Sequence, residues 1–505
     1  MGGRLLDLPF LVILMGLGAV AMFLPAAQAL AGADFGTARS FFYSGLLFLV
    51  LFVFIAIATS NRPVRRQGRN HLLALVAAYT FLPLMLAVPF HDAVAPTRFL
   101  NAYIEMVSAF TTTGATLYEP RRLPDAVHLW RAQVGWMGGF FVWVTAVAVL
   151  APLNLGGFEV RAAGGTRQGA AGAIRFERSA QMTDRLRRFT LQLLPVYLGL
   201  TGLLWFGLVV AGDRSLVALC HAMSTLSTSG ISPIGGLQSA GSGLPGEALI
   251  LLFLVFALTR LTFAREERPE GLRSLPGDPE LRLGLSIIAA VALLLFLRHW
   301  FGALERAGER DVSTGLEAFW GGLFTIASFL TTTGFVSTDW AVARIWSGLE
   351  APGLILMGLA VFGGGVGTTA GGVKLLRVYT LFIHGRREID RLVHPSSVGG
   401  SGPVARQLRR QGAPVAWIFF MLFAMSVVIV MSAFALTGLG FEPSLVLTIA
   451  ALSTTGPLVE VAGGTTLRLD LLSDVAKAVF AAAMVIGRLE TLVLIALLNP
   501  EFWRR

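Results

Sequence analysis

Charge is scarce in this chain, lysine is scarcer, and cysteine is nearly missing. Only 14% of the 505 residues are charged, against roughly a quarter in a soluble domain. So few charges cannot cover the surface of a soluble protein of this length. Mean hydropathy is +0.70, and the chain reads as a polytopic membrane protein. The one cysteine, Cys220, excludes an intrachain disulfide and any Cys/His metal pattern. Its expected role is small apolar packing. Lys374 and Lys477 are the only lysines among 40 basic residues, so the net charge of +10 is nearly all arginine. That arginine follows membrane loops, and nucleic acid is not an expected partner. No His-Glu-x-x-His, nucleophile motif or paired intramembrane carboxylates occur, which argues against an enzyme.

What is abundant is apolar sequence of spanning length. Ten such stretches run at 9–31, 38–59, 71–91, 131–154, 188–211, 245–264, 281–300, 348–384, 412–437 and 473–498. The first is too long for a signal-peptide core. With the second it forms a two-span hairpin within 1–60. The other eight pair into units at 71–155, 187–265, 280–384 and 411–499. Inside each unit lies a shorter stretch, at 97–110, 214–226, 314–330 or 442–452, too short to cross. Each ends in one phrase: Thr111-Thr112-Thr113-Gly114, Ser227-Thr228-Ser229-Gly230, Thr331-Thr332-Thr333-Gly334 and Ser453-Thr454-Thr455-Gly456. The expected fold is all-α: four span–pore helix–span repeats around one central pore, after the hairpin.

Arginine sets the expected orientation. Segments 59–71, 156–188, 264–282 and 385–411 hold 21 arginines in 92 residues; the opposite-side segments hold 10 in 163. Basic loops stay cytoplasmic. Both termini are then cytoplasmic, and all four Thr-Gly loops enter from outside. The loops 156–188 and 385–411 suit either anionic lipid or a cytoplasmic partner. Trp130, Trp300, Trp346 and Trp503 fall near span ends, as interfacial anchors do.

Polar, non-helical backbone at membrane depth survives where protein buries it or where it lines a water-filled path. Four such loops around an axis are the material of an ion filter. Carbonyls and hydroxyls replace the water of a cation. Glycine tolerates φ > 0 and lets the chain re-aim its carbonyls. Half-helices ending at the pore centre bring partial negative charge. The acids Glu105, Glu119, Glu317, Asp339 and Glu442 near the loops are expected to be solvated or structural singly, and to draw cations to the mouth together.

The stretch 348–384 is too long for one crossing. It carries Gly363, Gly364, Gly365, Gly367, Gly371 and Gly372, ending at Val373-Lys374. A phosphate loop needs Gly-Lys-Ser/Thr, which is absent. The run is either a closely packed glycine helix or an unwound segment that can block the path. Lys374 either belongs to that segment or snorkels to the interface. Arg488, deep in the last span, is a functional residue by default. Carbonyls of the glycine run are its expected partners; Glu490 or another helix is the alternative.

These loops in this context resemble the Trk/Ktr/HKT superfamily of potassium transporters, and within it the bacterial TrkH branch. The resemblance covers essentially the whole chain. It places selectivity glycines at Gly114, Gly230, Gly334 and Gly456. Ion-coordinating positions carry over to Thr112 and Thr113, Thr228 and Ser229, Thr332 and Thr333, and Thr454 and Thr455. Gly135-Trp136-Met137-Gly138-Gly139 and Gly487-Arg488-Leu489-Glu490 also match. Four glycines fit the potassium-selective members, whereas sodium-preferring plant relatives often carry serine first. The fourth loop departs: bacterial members often have Asn where this chain has Ser453-Thr454-Thr455-Gly456-Pro457. The resemblance implies potassium uptake across a bacterial inner membrane. The glycine run with Lys374 becomes an intramembrane gating loop, and Arg488 stands beside it. No cofactor is implied in the chain itself; K⁺ is the transported ion. Nucleotide acts through a TrkA-like cytoplasmic subunit, and the assembly is a homodimer in the lipid bilayer. Na⁺- or H⁺-coupled symport on the same scaffold is the alternative.

Overall fold

The computed structural model describes residues 10–59, 68–151, 182–259, 278–302, 312–349, 351–394, 412–463 and 467–489. Among them all regular structure is helical. The hairpin is α1 (Phe10–Ala21) with its continuation α2 (Phe23–Ala31), then α3 (Phe35–Thr59). Four units follow, each with an inner helix that runs into one of the four Thr-Gly phrases. The first is α4 (Gly68–Ala93), α5 (Phe99–Phe110) and α6 (Asp125–Thr145); the second is α7 (Met182–Val210), α8 (Ser215–Ser227) and α9 (Gly243–Leu254). The third is α10 (Pro279–Gly302), α11 (Val312–Leu330), α12 (Trp340–Ser347), α13 (Gly353–Phe362) and α14 (Leu375–Val393). The fourth is α15 (Ala413–Leu436), α16 (Phe441–Leu452), α17 (Leu458–Val461) and α18 (Asp474–Leu489).

Among the described residues, seven helices are long and apolar enough to cross a membrane. Their outer faces carry exposed Leu47, Phe54, Phe206, Leu294 and Leu436, apolar surface of the kind a bilayer covers. The other three expected spans differ for visible reasons. The stretch 245–264 is helical to Ala257, and 260–264 lie outside the described residues. The stretch 348–384 is broken: α13 and α14 flank a non-helical segment, 363–374. The last span is helical to Leu489, and 490–498 lie outside the described residues.

A side-chain hydrogen bond helps tie the hairpin to the first unit. Pro25 has no N–H for the carbonyl of Ala21. That carbonyl instead accepts Gln133 Nε2 of α6 at 3.0 Å. Trp130 is not the interfacial anchor its position suggested. It is fully buried against Phe41, and its Nε1 donates to Leu86 O at 3.1 Å. Trp346 stacks on Phe296, 5.9 Å between ring centres. Cys220 is buried on α8, as a packing residue would be. The Trp300 side chain, Trp503, Glu490, and basic loop residues 60–67, 156–181, 264–277 and 395–411 lie outside the described residues.

Candidate functional site

Each short helix ends the same way. Thr112, Thr228, Thr332 and Thr454 have φ of 55, 52, 58 and 53°. The following amide reaches back to the helix: Thr113 to Ser108 O at 2.9 Å, Ser229 to Ser224 O at 3.0 Å, Thr333 to Ser328 O at 2.9 Å, Thr455 to Ala450 O at 2.8 Å. Glycine ordinarily supplies this left-handed helix stop. A β-branched residue there costs roughly 1–2 kcal/mol. Hydroxyls on either side hold it in place. Thr111, Ser227, Thr331 and Ser453 each donate to the carbonyl four residues back. Their oxygens lie 2.8, 3.0, 3.2 and 3.1 Å from those of Thr113, Ser229, Thr333 and Thr455. Sequence reasoning had put the left-handed turn on glycine alone. The threonine two residues before it shares the role, and the [Ser/Thr]-Thr-[Ser/Thr]-Gly spelling was the available signal.

Three of the four glycines also have positive φ: Gly114 at 76°, Gly230 at 66° and Gly334 at 82°. Gly456 does not, and here the expectation is corrected. It precedes Pro457, which restricts its backbone, and the chain turns at once into α17. Its N–H donates to Thr113 O at 2.6 Å.

The glycines also show how the loops meet. A Cβ on Gly114 would overlap the Ser229 carbonyl of the second loop; one on Gly230 would overlap the Thr333 carbonyl of the third. One on Gly334 would strike the Pro457 ring of the fourth, and one on Gly456 would strike Ala115 of the first. Each loop therefore packs against the next in chain order, and the fourth closes on the first. Thr112, Thr113, Thr228, Ser229, Thr332, Thr333, Thr454 and Thr455 all lie buried in this ring. Gly138 and Gly487 of the matched motifs admit the carbonyls of Phe110 and of Ala451 and Leu452, so α6 and α18 sit close behind it.

Beneath the ring lies the segment 363–374. Gly371 N donates to Thr332 Oγ1 at 2.8 Å, and Thr228 Oγ1 is 3.2 Å from Thr369 Oγ1. A Cβ on Gly371 would overlap Ser453 O and Thr454 Oγ1. Gly363, Gly367 and Gly372 have φ of 70, 70 and 73°. Gly364 and Gly365 lie against the carbonyls of Ala257 and Leu258, and Gly365 N donates to Ala257 O at 2.9 Å. Arg488 Nη2 donates to Thr369 O at 2.6 Å. Lys374 does not snorkel: it is buried, its φ is 81°, and its Nζ turns back to Ala370 O.

On the other side of the ring opens a cavity of about 1300 Å³, lined by all four glycines. Glu119 and Glu442 line it, as do Glu460 and Asp470, which sequence reasoning missed. Arg468, 2.8 Å away, holds the Asp470 carboxyl below the ordinary carboxylate range. Glu105 is no mouth acid. It is buried and paired with Arg131 at 2.6 Å. Glu317 and Asp339 are not among the lining residues.

Known proteins share this architecture. The family described as TrkH, a cation transport protein, matches residues 283–503. The Trk system potassium uptake protein TrkH of Vibrio parahaemolyticus is 30% identical, covering 97% of this chain and 98% of that protein. Its Escherichia coli counterpart is 29% identical over 96% of each. The crystal structure of the potassium transporter TrkH from Vibrio parahaemolyticus superposes with a TM-score of 0.80, at 27% identity and full coverage of both chains. With four matching loops closed into one ring and likeness along nearly its whole length, this chain belongs to the TrkH family of cation transport proteins.

Proposed function

We propose that this protein carries K⁺ into the cell through the ring of four loops, with the segment 363–374 as its gate. The observation that carries the reading is the closed cyclic packing of four Thr-Gly loops, with an open cavity on one face and a glycine-rich plug against the other. A cation entering from the cavity meets four glycines and four helix C-termini, whose partial charge favours it. The threonine, serine and glycine positions at 112–114, 228–230, 332–334 and 454–456 are the K⁺-binding set. Gly363, Gly364, Gly365, Gly367, Gly371, Gly372, Lys374 and Arg488 form the gate. While Gly371 bonds Thr332 and Arg488 bonds Thr369, the way below the ring is occupied.

The same reading places the protein in a bacterial inner membrane, with both termini and the arginine-rich loops cytoplasmic. It works as a homodimer with a TrkA-like subunit that binds nucleotide and moves the gate; this chain needs no cofactor of its own. The test is rescue of an uptake-deficient bacterium at low external K⁺, with and without the partner gene. Growth restored by the pair supports the proposal. Failure of a well-expressed pair to raise K⁺ uptake overturns it.

A further inference from the structure

The ninth residue before each ring glycine is Glu105, His221, Thr325 or Leu447. These four equivalent positions on the short helices meet the stretch of chain that leaves the ring, each differently. Glu105 Oε2 accepts Leu117 N at 3.0 Å, and Leu117 is the third residue after Gly114. Thr325 Oγ1 accepts Ser337 N at 3.2 Å, and Ser337 is the third residue after Gly334. In the second loop the third residue is Pro233, which has no N–H. There the contact moves one residue back and onto a side chain: His221 Nε2 lies 2.9 Å from Ser232 Oγ. In the fourth loop the third residue is Val459, whose N–H bonds Gly456 O within its own turn at 3.0 Å. The helix there carries Leu447, which has nothing to offer. Leu117, Ser337 and Val459 are all buried, and a buried amide must find a partner. The short helix supplies the acceptor where the loop cannot, and omits it where the loop satisfies itself.

Each brace is itself supported. Glu105 is paired with Arg131 at 2.6 Å. Ser232 Oγ donates to Gly236 O at 3.1 Å and accepts Ile234 N at 3.3 Å, which leaves His221 Nε2 as a donor. The Asp213 carboxylate stands 3.9 Å from His221 Nδ1. Beside Thr325, Ser337 Oγ and Thr338 N each donate to Glu247 at 2.7 Å.

We infer that Glu105, His221 and Thr325 are positioning residues for ion discrimination, each setting the height of one loop on the cavity side of the ring. The inference rests on the reading of the ring as the ion filter. A site that discriminates by geometry needs its oxygens held within about 0.5 Å, by residues that are themselves fixed. These three hold the loops just beyond the glycines, and the fourth loop is held by the turn after Pro457.

The test is the K⁺/Na⁺ flux ratio in proteoliposomes for Thr325→Val, Thr325→Ser, Ser232→Ala, Leu447→Met and Gly114→Ser. Thr325→Val keeps the volume and removes the acceptor for Ser337 N. It should lower the ratio about fivefold, what one lost neutral hydrogen bond converts to, with K⁺ flux retained. Thr325→Ser restores the acceptor and should restore the ratio, which a merely structural role would not require. Leu447→Met, a volume-conserving change at the unbraced position, should leave the ratio alone. If Thr325→Val fails to fold, Ser232→Ala decides by the same criterion. A parental ratio in folded Thr325→Val and Ser232→Ala, with Gly114→Ser altered, would discard the braces and keep the filter. A parental ratio in all, Gly114→Ser included, would discard both.

Discussion

Thr112, Thr228, Thr332 and Thr454 hold a backbone conformation that β-branched side chains resist. Such strain persists only where the surroundings over-determine it. Here the flanking hydroxyls, the helix carbonyls and the next loop all do so. The hydroxyls of Thr112 and Thr454 have no partner among the described residues, while those of Thr228 and Thr332 meet the glycine segment. Seating that segment needs glycine at 371. Gly371→Ala places a methyl on Ser453 O and Thr454 Oγ1, so the segment cannot seat against the fourth loop. K⁺ flux without any partner should rise about tenfold, a shift of ~1.4 kcal/mol in the gate equilibrium, in tracer uptake by proteoliposomes; unchanged flux would show that the segment is scaffold. Arg488→Ala removes the donor to Thr369 O and, on the proposed function, a charge from the cation path. Flux should again rise, by about tenfold or more, because a hydrogen bond from a charged group is worth about 1.5–3 kcal/mol, and the K⁺/Na⁺ ratio should stay parental. A shifted ratio would mean that filter and gate are not separate layers. Gly114→Ser acts on the ring itself. It forces a side chain to φ 76° and into the Ser229 carbonyl, so it disturbs two loops at once. K⁺/Na⁺ discrimination should fall about tenfold or more, with reduced K⁺ flux. An unchanged ratio removes this loop from the filter.

At the scale of elements, breaks in helices do as much as the helices. Pro25 interrupts the first span and frees the Ala21 carbonyl, which Gln133 takes up. Gln133→Leu would leave that carbonyl without its donor and lower stability by about 1 kcal/mol, the net worth of a typical hydrogen bond. Thermal unfolding in detergent should show it as a lower midpoint with the flux ratio unchanged; an unchanged midpoint would show the contact to be idle. The break between α13 and α14 is larger and differently held. Val373 N bonds Val361 O at 2.9 Å and Lys374 N bonds Phe362 O at 3.0 Å, so the two ends of the segment are pinned together and the loop between them projects toward the ring. Glu280 Oε2 accepts Val366 N at 3.1 Å, and Arg377 Nη1 donates to Val373 O at 3.1 Å. The loop is thus clamped at its base from α10 and α14, and its tip at Thr369 and Gly371 touches the ring threonines.

For the whole molecule, the ring is where the loops of all four units meet. An ion held there binds the folded protein and not the unfolded chain. Ligands of that kind stabilise by mass action, about 2.7 kcal/mol at a hundredfold excess over Kd. K⁺ should therefore raise the unfolding midpoint in detergent well above its value in choline, with Na⁺ raising it less. The Gly114→Ser variant should lose the difference between the two ions. Equal midpoints in K⁺ and Na⁺ for the parent protein would argue against selective binding in the ring.

The sequence alone carried the fold class, because spanning length and helix-ending chemistry are local. Apolar runs name the helices, and a repeated Thr-Gly phrase names their ends. The same local signal marked the break at Gly363–Gly372, where six glycines disturb an otherwise apolar stretch. Which distant group each side chain meets was not legible. Glu105 read as a mouth acid, yet Arg131, 26 residues on, draws it into the core. Trp130 read as an interfacial anchor, yet a carbonyl of α4 claims it. Gly456 read like its three counterparts, yet Pro457 and the first loop decide its backbone. The closing of the fourth loop on the first, and the left-handed threonines it locks in, belong to tertiary structure alone. Local propensity selects an element, but a buried polar group goes wherever packing puts its partner.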